Sequence, residues 1–286
     1  MATLPNPLPS LAADPSGRSL GLRLPLGTLT DATDEGPWHE PLLWYAGQPA
    51  SSGNWAALGT PAARAGLLPV LIDVGGLQGG PEDWELMPGD TSYPGDHDAE
   101  EVLAEYWQDN AEDELAPDDT DAGAGAHDRA PVLAPFGPYW PGLAPAAARF
   151  TADPDTRAAQ VADSLTGGPR SWLKEPRLAL VPARRSADIP AAIGWSGPLN
   201  YEDDVARLCA VLRSWEDRFG IRVVALGFDT LVVSVAAPPA TQEEAEAVAA
   251  EHFAFCPDTV LQDGPDTLRA YAGDLVGEHT WSFWWD

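Results

Sequence analysis

Positive charge is the scarcest property of this chain of 286 residues. Sixteen Lys and Arg stand against 44 Asp and Glu, giving a formal net charge of -28 at pH 7, and no basic residue occurs between Arg64 and Arg129. Such a chain is repelled by nucleic-acid phosphates and by anionic membrane surfaces, so neither nucleic acid nor membrane is expected among its direct partners. Cysteine is almost as rare. Cys209 and Cys256 are the only two, too few to staple a chain of this length and not spaced as a C-x-x-C pair, which points to a reducing, cytoplasmic compartment. Long apolar runs are missing too. The best of them, Leu67 to Val74, is broken by Pro69 and Asp73, whereas a membrane-spanning helix needs about 20 apolar residues. The start Met1-Ala2-Thr3-Leu4-Pro5-Asn6-Pro7 lacks the cationic region of a secretory signal, so none is expected.

A hydrophobic fraction of 44% with 12 Trp is enough apolar surface to offset chain entropy, which excludes wholesale disorder. The acidity is uneven. Residues 1–128 hold 23 acidic and 3 basic residues, and residues 129–286 hold 21 and 13. The run Glu112-Asp113-Glu114-Leu115-Ala116-Pro117-Asp118-Asp119-Thr120-Asp121 reads as a solvated connector, because like charges with Pro and Gly do not form a core. Three parts are therefore expected: an acidic module over 1–110, a connecting segment over 111–170 in which Phe136 to Pro141 docks, and a domain over 171–286.

In the first part, Pro41 to Tyr45 and Leu67 to Val74 read as strands and Trp55 to Arg64 as a short helix. Asp98 with Glu101 reads as a capping box, opening a helix with Val102, Leu103, Tyr106 and Trp107 on its apolar stripe. In the last part, Arg177 to Val181 reads as a strand. Val205, Leu208, Cys209, Leu212, Trp215 and Phe219 recur at helical spacing and end at Gly220. Ile221 to Leu226 and Leu231 to Ala236 flank Gly227-Phe228-Asp229-Thr230 as a hairpin. Thr241 with Glu244 caps another helix, Asp266 to Val276 forms a last one, and Thr280 to Trp285 closes the chain as a strand. The expected class is α+β: an N-terminal α/β-like module packed against a C-terminal α+β domain with a small mixed or antiparallel sheet.

Several words of the last part resemble a known family. They are Arg213-Ser214-Trp215-Glu216-Asp217-Arg218-Phe219-Gly220, Gly227-Phe228-Asp229-Thr230-Leu231, Ala249-Ala250-Glu251-His252-Phe253-Ala254-Phe255-Cys256-Pro257-Asp258 and Trp281-Ser282-Phe283-Trp284-Trp285-Asp286. Over about 175–286 they resemble the actinobacterial family called domain of unknown function 4253. A weaker resemblance in the first half rests on Pro81 to Leu86 and Asp96 to Glu105. The resemblance implies a cytoplasmic bacterial protein with one recurring C-terminal domain, and it carries over no catalytic residues.

The candidate metal ligands are Asp96, His97, Asp98 and Glu101, behind the loop Gly75 to Gly80. Carboxylate oxygens with one imidazole suit Mg, Mn or Zn, although helix capping accounts for Asp98 and Glu101 as well. That Gly-rich loop lacks the Lys-Ser/Thr of a phosphate-binding loop. His252 and Cys256, with Asp258 beyond, match the spacing of a base and its thiol, against plain core packing. Ser171-x-x-Lys174 is a bare serine–lysine pattern. The candidate partner-binding set is Trp281, Trp284, Trp285 and the hairpin residue Asp229. Strand alternation turns Trp281, Phe283 and Trp285 to one face and Trp284 to the other, where it meets a covering helix or a partner. Arg170, Lys174, Arg177, Arg184 and Arg185 are expected to pair with the acidic first half. No cofactor is predicted. The expected function is a non-enzymatic acidic protein-interaction module, an adaptor or immunity-type inhibitor for a basic or mixed-charge protein, because a negative face steers and aromatic anchors hold. The alternative is a metal-dependent hydrolase or nucleotide-handling enzyme using the Asp96–Glu101 cluster.

Overall fold

The computed structural model describes residues 5–115, 132–167, 173–262 and 267–286. The apolar runs pair into one sheet of seven strands: β1 (Gly27–Thr30), β2 (Leu43–Ala46), β3 (Leu68–Asp73), β4 (Pro176–Val181), β5 (Ile221–Leu226), β6 (Thr230–Val235) and β7 (Thr280–Trp284). Their spatial order is β1-β2-β4-β3-β5-β6-β7. All neighbours are antiparallel except β3 with β5. The class is α+β. The sheet, however, is neither small nor confined to the C-terminal part: β4 lies between β2 and β3, so strands from both halves of the chain interleave. Leu178, Ala179, Leu180 and Val181 are all buried, and a strand buried on both faces needs a hydrogen-bonded neighbour along each edge. Asp73 fastens the join, its carboxylate accepting from the backbone N–H groups of Lys174 (2.9 Å) and Glu175 (2.6 Å).

Helices cover both faces. The longer ones are α1 (Asn54–Arg64), α2 (Ala99–Leu115), α3 (Pro154–Leu165), α4 (Val205–Phe219), α5 (Gln242–Phe255) and α6 (Leu268–Leu275). On one face Leu43, Val70, Ala179, Val223, Leu231, Val233 and Phe283 join the apolar sides of α2, α4, α5 and α6. On the other, Trp44, Leu71, Leu180, Val224 and Val232 meet α1, α3 and the segment around Leu8, Leu11 and Leu22. The capping box of Thr241 and Glu244 forms as expected. Gly220 ends α4 in the left-handed conformation (φ 65°), where a side chain is disfavoured. Asp266, read as the start of the last helix, lies outside the described residues; Thr267 caps α6.

The connector differs most from expectation. Helix α2 continues through Glu112, Asp113 and Glu114 to Leu115, because Ala111 stays buried and draws the last turn along. Helix α3 lies wholly inside the segment read as a connector. Asp153 caps it by accepting from Thr156 N (2.8 Å), and Ala158, Val161, Ala162 and Leu165 are its buried side.

The basic residues do not pair as expected either. Arg177 meets Glu175 (2.5 Å), and Arg185 meets Asp217 (2.5 Å) and Glu216 (3.5 Å), all in the C-terminal part. Arg184 is exposed. The backbone N–H of Lys174 reaches the first half through Asp73, and the backbone of Arg177 does so by pairing with Ile72 in the sheet. Arg170 lies outside the described residues. An ion pair forms where two side chains already sit close, and α4 places its own carboxylates beside Arg185.

Candidate functional site

A groove of about 720 Å³ lies between α2 and the strap 138–140. Ala104, Gln108, Ala111 and Leu115 of α2 line its floor, at the three- and four-residue steps that put side chains on one helix face. Trp107 forms the inner wall; Tyr139 and Trp140 form the outer one. Trp107 is fully buried and anchored against Phe253 (ring centroids 5.4 Å) and Trp140 (5.8 Å). Tyr139 is 80% exposed, an unusual placement for a large aromatic ring. Among the described residues the indole N–H groups of Trp107 and Trp140 have no acceptor, which is costly for buried donors.

Negative charge surrounds the groove. Helix α2 carries seven Asp and Glu and no Lys or Arg. Glu101, Glu105 and Glu112 run along the flank of the groove face and are exposed, and Glu100 lies beside Gly142 on the other side. Arg207 pairs with Glu105 (2.6 Å). Like charges one turn apart oppose each other, and the carboxylates of the last turn oppose the helix dipole.

The expected metal ligands do not converge. Among the described residues no group of three or more His, Cys, Asp and Glu side chains is placed to hold a metal ion. Asp98 is occupied as the helix cap, its Oδ1 accepting from Glu100 N (2.9 Å) and Glu101 N (3.1 Å). Asp96 and Glu101 are exposed. His97 instead turns to Ser92 Oγ (2.6 Å) and approaches Asp204 through the same Nε2 atom (3.6 Å). In a catalytic triad the carboxylate binds the other ring nitrogen, so this trio does not orient a base. Asp98→Ala is expected to cost about 1 kcal/mol, the loss of an N-cap. The thermal shift given by Mg, Mn or Zn ions should be the same in variant and parent; a metal-dependent shift lost with Asp98 would restore the metal reading.

The expected partner-binding residues are mostly core. Trp281 (1% exposed) and Trp285 (3%) are buried. Trp281 packs edge-on to Trp215 (5.6 Å) and Trp285 packs on Trp195 (5.7 Å). Neither is offered to a partner, because the face they share is the one α4 and α5 cover. Trp284, on the opposite face, is half-buried, and its carbonyl accepts from the Cys256 thiol (2.9 Å). Asp229 is a turn residue: its carbonyl accepts from Trp285 N (3.1 Å) and its carboxylate from Thr230 Oγ1 (2.9 Å). His252 and Cys256 do not form a couple. His252 Nδ1 faces Tyr271 Oη (2.9 Å), and burial pushes the Cys256 thiol up to about 12, far from a reactive thiolate. Burial raises the Cys209 thiol as well. Ser171 lies outside the described residues.

These C-terminal elements, from β4 to β7, make one continuous stretch of the chain. Residues 177–286 match the family model described as Domain of unknown function (DUF4253). No curated protein and no solved structure matches the chain. The DUF4253 segment supplies β5, β6 and β7, nearly all of β4, and the aromatic box around Trp215, while the groove is built from residues before it. The two meet behind α2, where Asn110 Nδ2 donates to the carbonyl of Phe253 (3.1 Å) and to Tyr201 Oη (3.0 Å). The DUF4253 segment thus backs the groove with Phe253 without lining it. The apolar stripe with Tyr106 and Trp107 and the aromatic stretch 136–141 were each visible in the sequence; that they face one another was not, because chain separation carries no such signal. Among the described residues no helix is long and apolar enough to cross a membrane.

Proposed function

We propose that the protein is a non-enzymatic acidic interaction module, an adaptor or immunity-type inhibitor, whose partner is a basic or mixed-charge protein. One observation carries this reading: a groove of about 720 Å³ is walled by Trp107, Tyr139 and Trp140 and flanked by the carboxylates of α2. Aromatic rings in a concave site supply affinity, since Trp and Tyr dominate the energetics of protein interfaces. The negative flank supplies steering and selects against acidic partners. A titration of the whole protein with a panel of small basic proteins, and with an acidic protein of similar size, tests it. The expected result is one-to-one binding of at least one basic protein at physiological ionic strength, with an association rate that falls as salt rises. Association with none of them beyond what salt abolishes would remove the support for an interaction module.

A further inference from the structure

Resting on the interaction reading above, we infer that the groove seats a cationic amphipathic segment of the partner, with one large apolar side chain against the exposed rings of Tyr139 and Trp140. Three features of the groove converge on that occupant. Its volume, about 720 Å³, exceeds one side chain and matches a short stretch of peptide. Its outer wall offers ring surface to cover, since Tyr139 is 80% exposed and Trp140 beside it is half-buried. Its flanks hold Glu100 on one side and Glu101 and Glu112 on the other, so Lys or Arg on both sides of the anchor finds a carboxylate. The alternatives fit worse. A second copy of this chain brings another net charge of -28, and an anionic lipid surface or a nucleic acid meets the same repulsion. A purely apolar ligand leaves the carboxylates of α2 opposing one another.

The test uses the full chain and three synthetic probes: an amphipathic peptide with Lys and Arg around a Leu-Trp anchor, the same peptide with every Lys and Arg replaced by Glu, and an oligolysine of equal net charge. Calorimetry reads affinity, and the indole N–H resonances of the protein report the site. The first probe is expected to bind and to shift the Trp107 and Trp140 resonances. The oligolysine should bind at least about tenfold more weakly, and the Glu peptide not at all. Tyr139→Ala and Glu112→Lys, both at exposed positions, should each weaken the first probe by about tenfold, a change of about 1.4 kcal/mol. If oligolysine binds as tightly as the amphipathic peptide and Tyr139→Ala changes nothing, the groove occupant is refuted while a charge-steered interaction module survives. If neither cationic probe binds and the basic proteins do not either, both readings fall together.

Discussion

Glu251→Gln is expected to lower stability by about 3–5 kcal/mol, the cost of leaving one member of a buried ion pair alone. Glu251 is fully buried, yet its two oxygens accept from four donors. Arg218 gives two of them (2.7 and 2.6 Å), Trp215 Nε1 a third (2.6 Å) and Ala144 N the fourth (2.5 Å). Glutamine of the same shape presents an amide NH₂ where an acceptor is required, and it leaves the guanidinium of Arg218 in a nearly dry site without its counter-charge. The network ties three distant stretches together: α4 through Arg218 and Trp215, α5 through Glu251, and the strap behind the groove through Ala144. Denaturant unfolding should show a lower midpoint at unchanged slope. The double variant Glu251→Leu with Arg218→Met should recover much of the loss, since an apolar pair of similar volume often replaces a buried ion pair without penalty. A Glu251→Gln loss below about 1 kcal/mol, within the range of an exposed pair, would mean that the pair is hydrated in solution.

The second large effect is acid lability centred on His252. Burial in a box of Trp215, Trp281, Phe283 and Tyr271 pushes this imidazole down from its ordinary 6.5 to about 3. The groups that face it are those three carbon-rich rings and the Tyr271 hydroxyl, from α4, β7 and α6; the neighbouring Glu251 is turned to Arg218. Its Nε2 has no partner among the described residues, so nothing there stabilises a positive charge. Because the folded-state value lies below the unfolded one, the unfolded chain takes up the proton first. Stability present above pH 6.5 is therefore lost progressively as the pH falls toward 3, by about 3 kcal/mol at pH 4 from this one group. In His252→Leu the decline in stability between pH 7 and pH 4 should be shallower by that amount, whatever its absolute stability. Equal slopes for variant and parent would show that carboxylates alone govern the acid transition.

The elements of the last part were legible because their signals are local. Helical spacing from Val205 to Phe219, the glycine after it, the Gly227–Thr230 turn between two apolar runs and the Thr241/Glu244 capping box each depend on residues within a few positions. Signals of that kind also identified α1, β2 and β3. Charge misled where it was asked to decide structure. The acidic run after Asn110 reads as solvated, yet α2 extends to Leu115, since one buried residue per turn suffices to hold a helix whose other faces are in water. Strand β1, with Gly27, Thr28, Leu29 and Thr30, carries only a short and weak alternation and was not anticipated.

The functional residues followed the same division. Asp98 was read both as a cap and as a ligand, and the geometry keeps the first. Trp281 and Trp285 were right as to face and wrong as to availability, because strand alternation gives the face while only packing says what covers it. By itself the sequence determined the α+β class, the resemblance of its last third to DUF4253, the concentration of acidity in the first half and most of the secondary structure. Those are properties of composition and of near neighbours. Only the tertiary structure decided that strands of both halves share one sheet, that the arginines of the C-terminal part pair largely with carboxylates of that same part, and that Trp107 meets Tyr139 and Trp140 across a groove. Such contacts join residues tens to a hundred positions apart, and they are selected by the shape and burial of the folded chain.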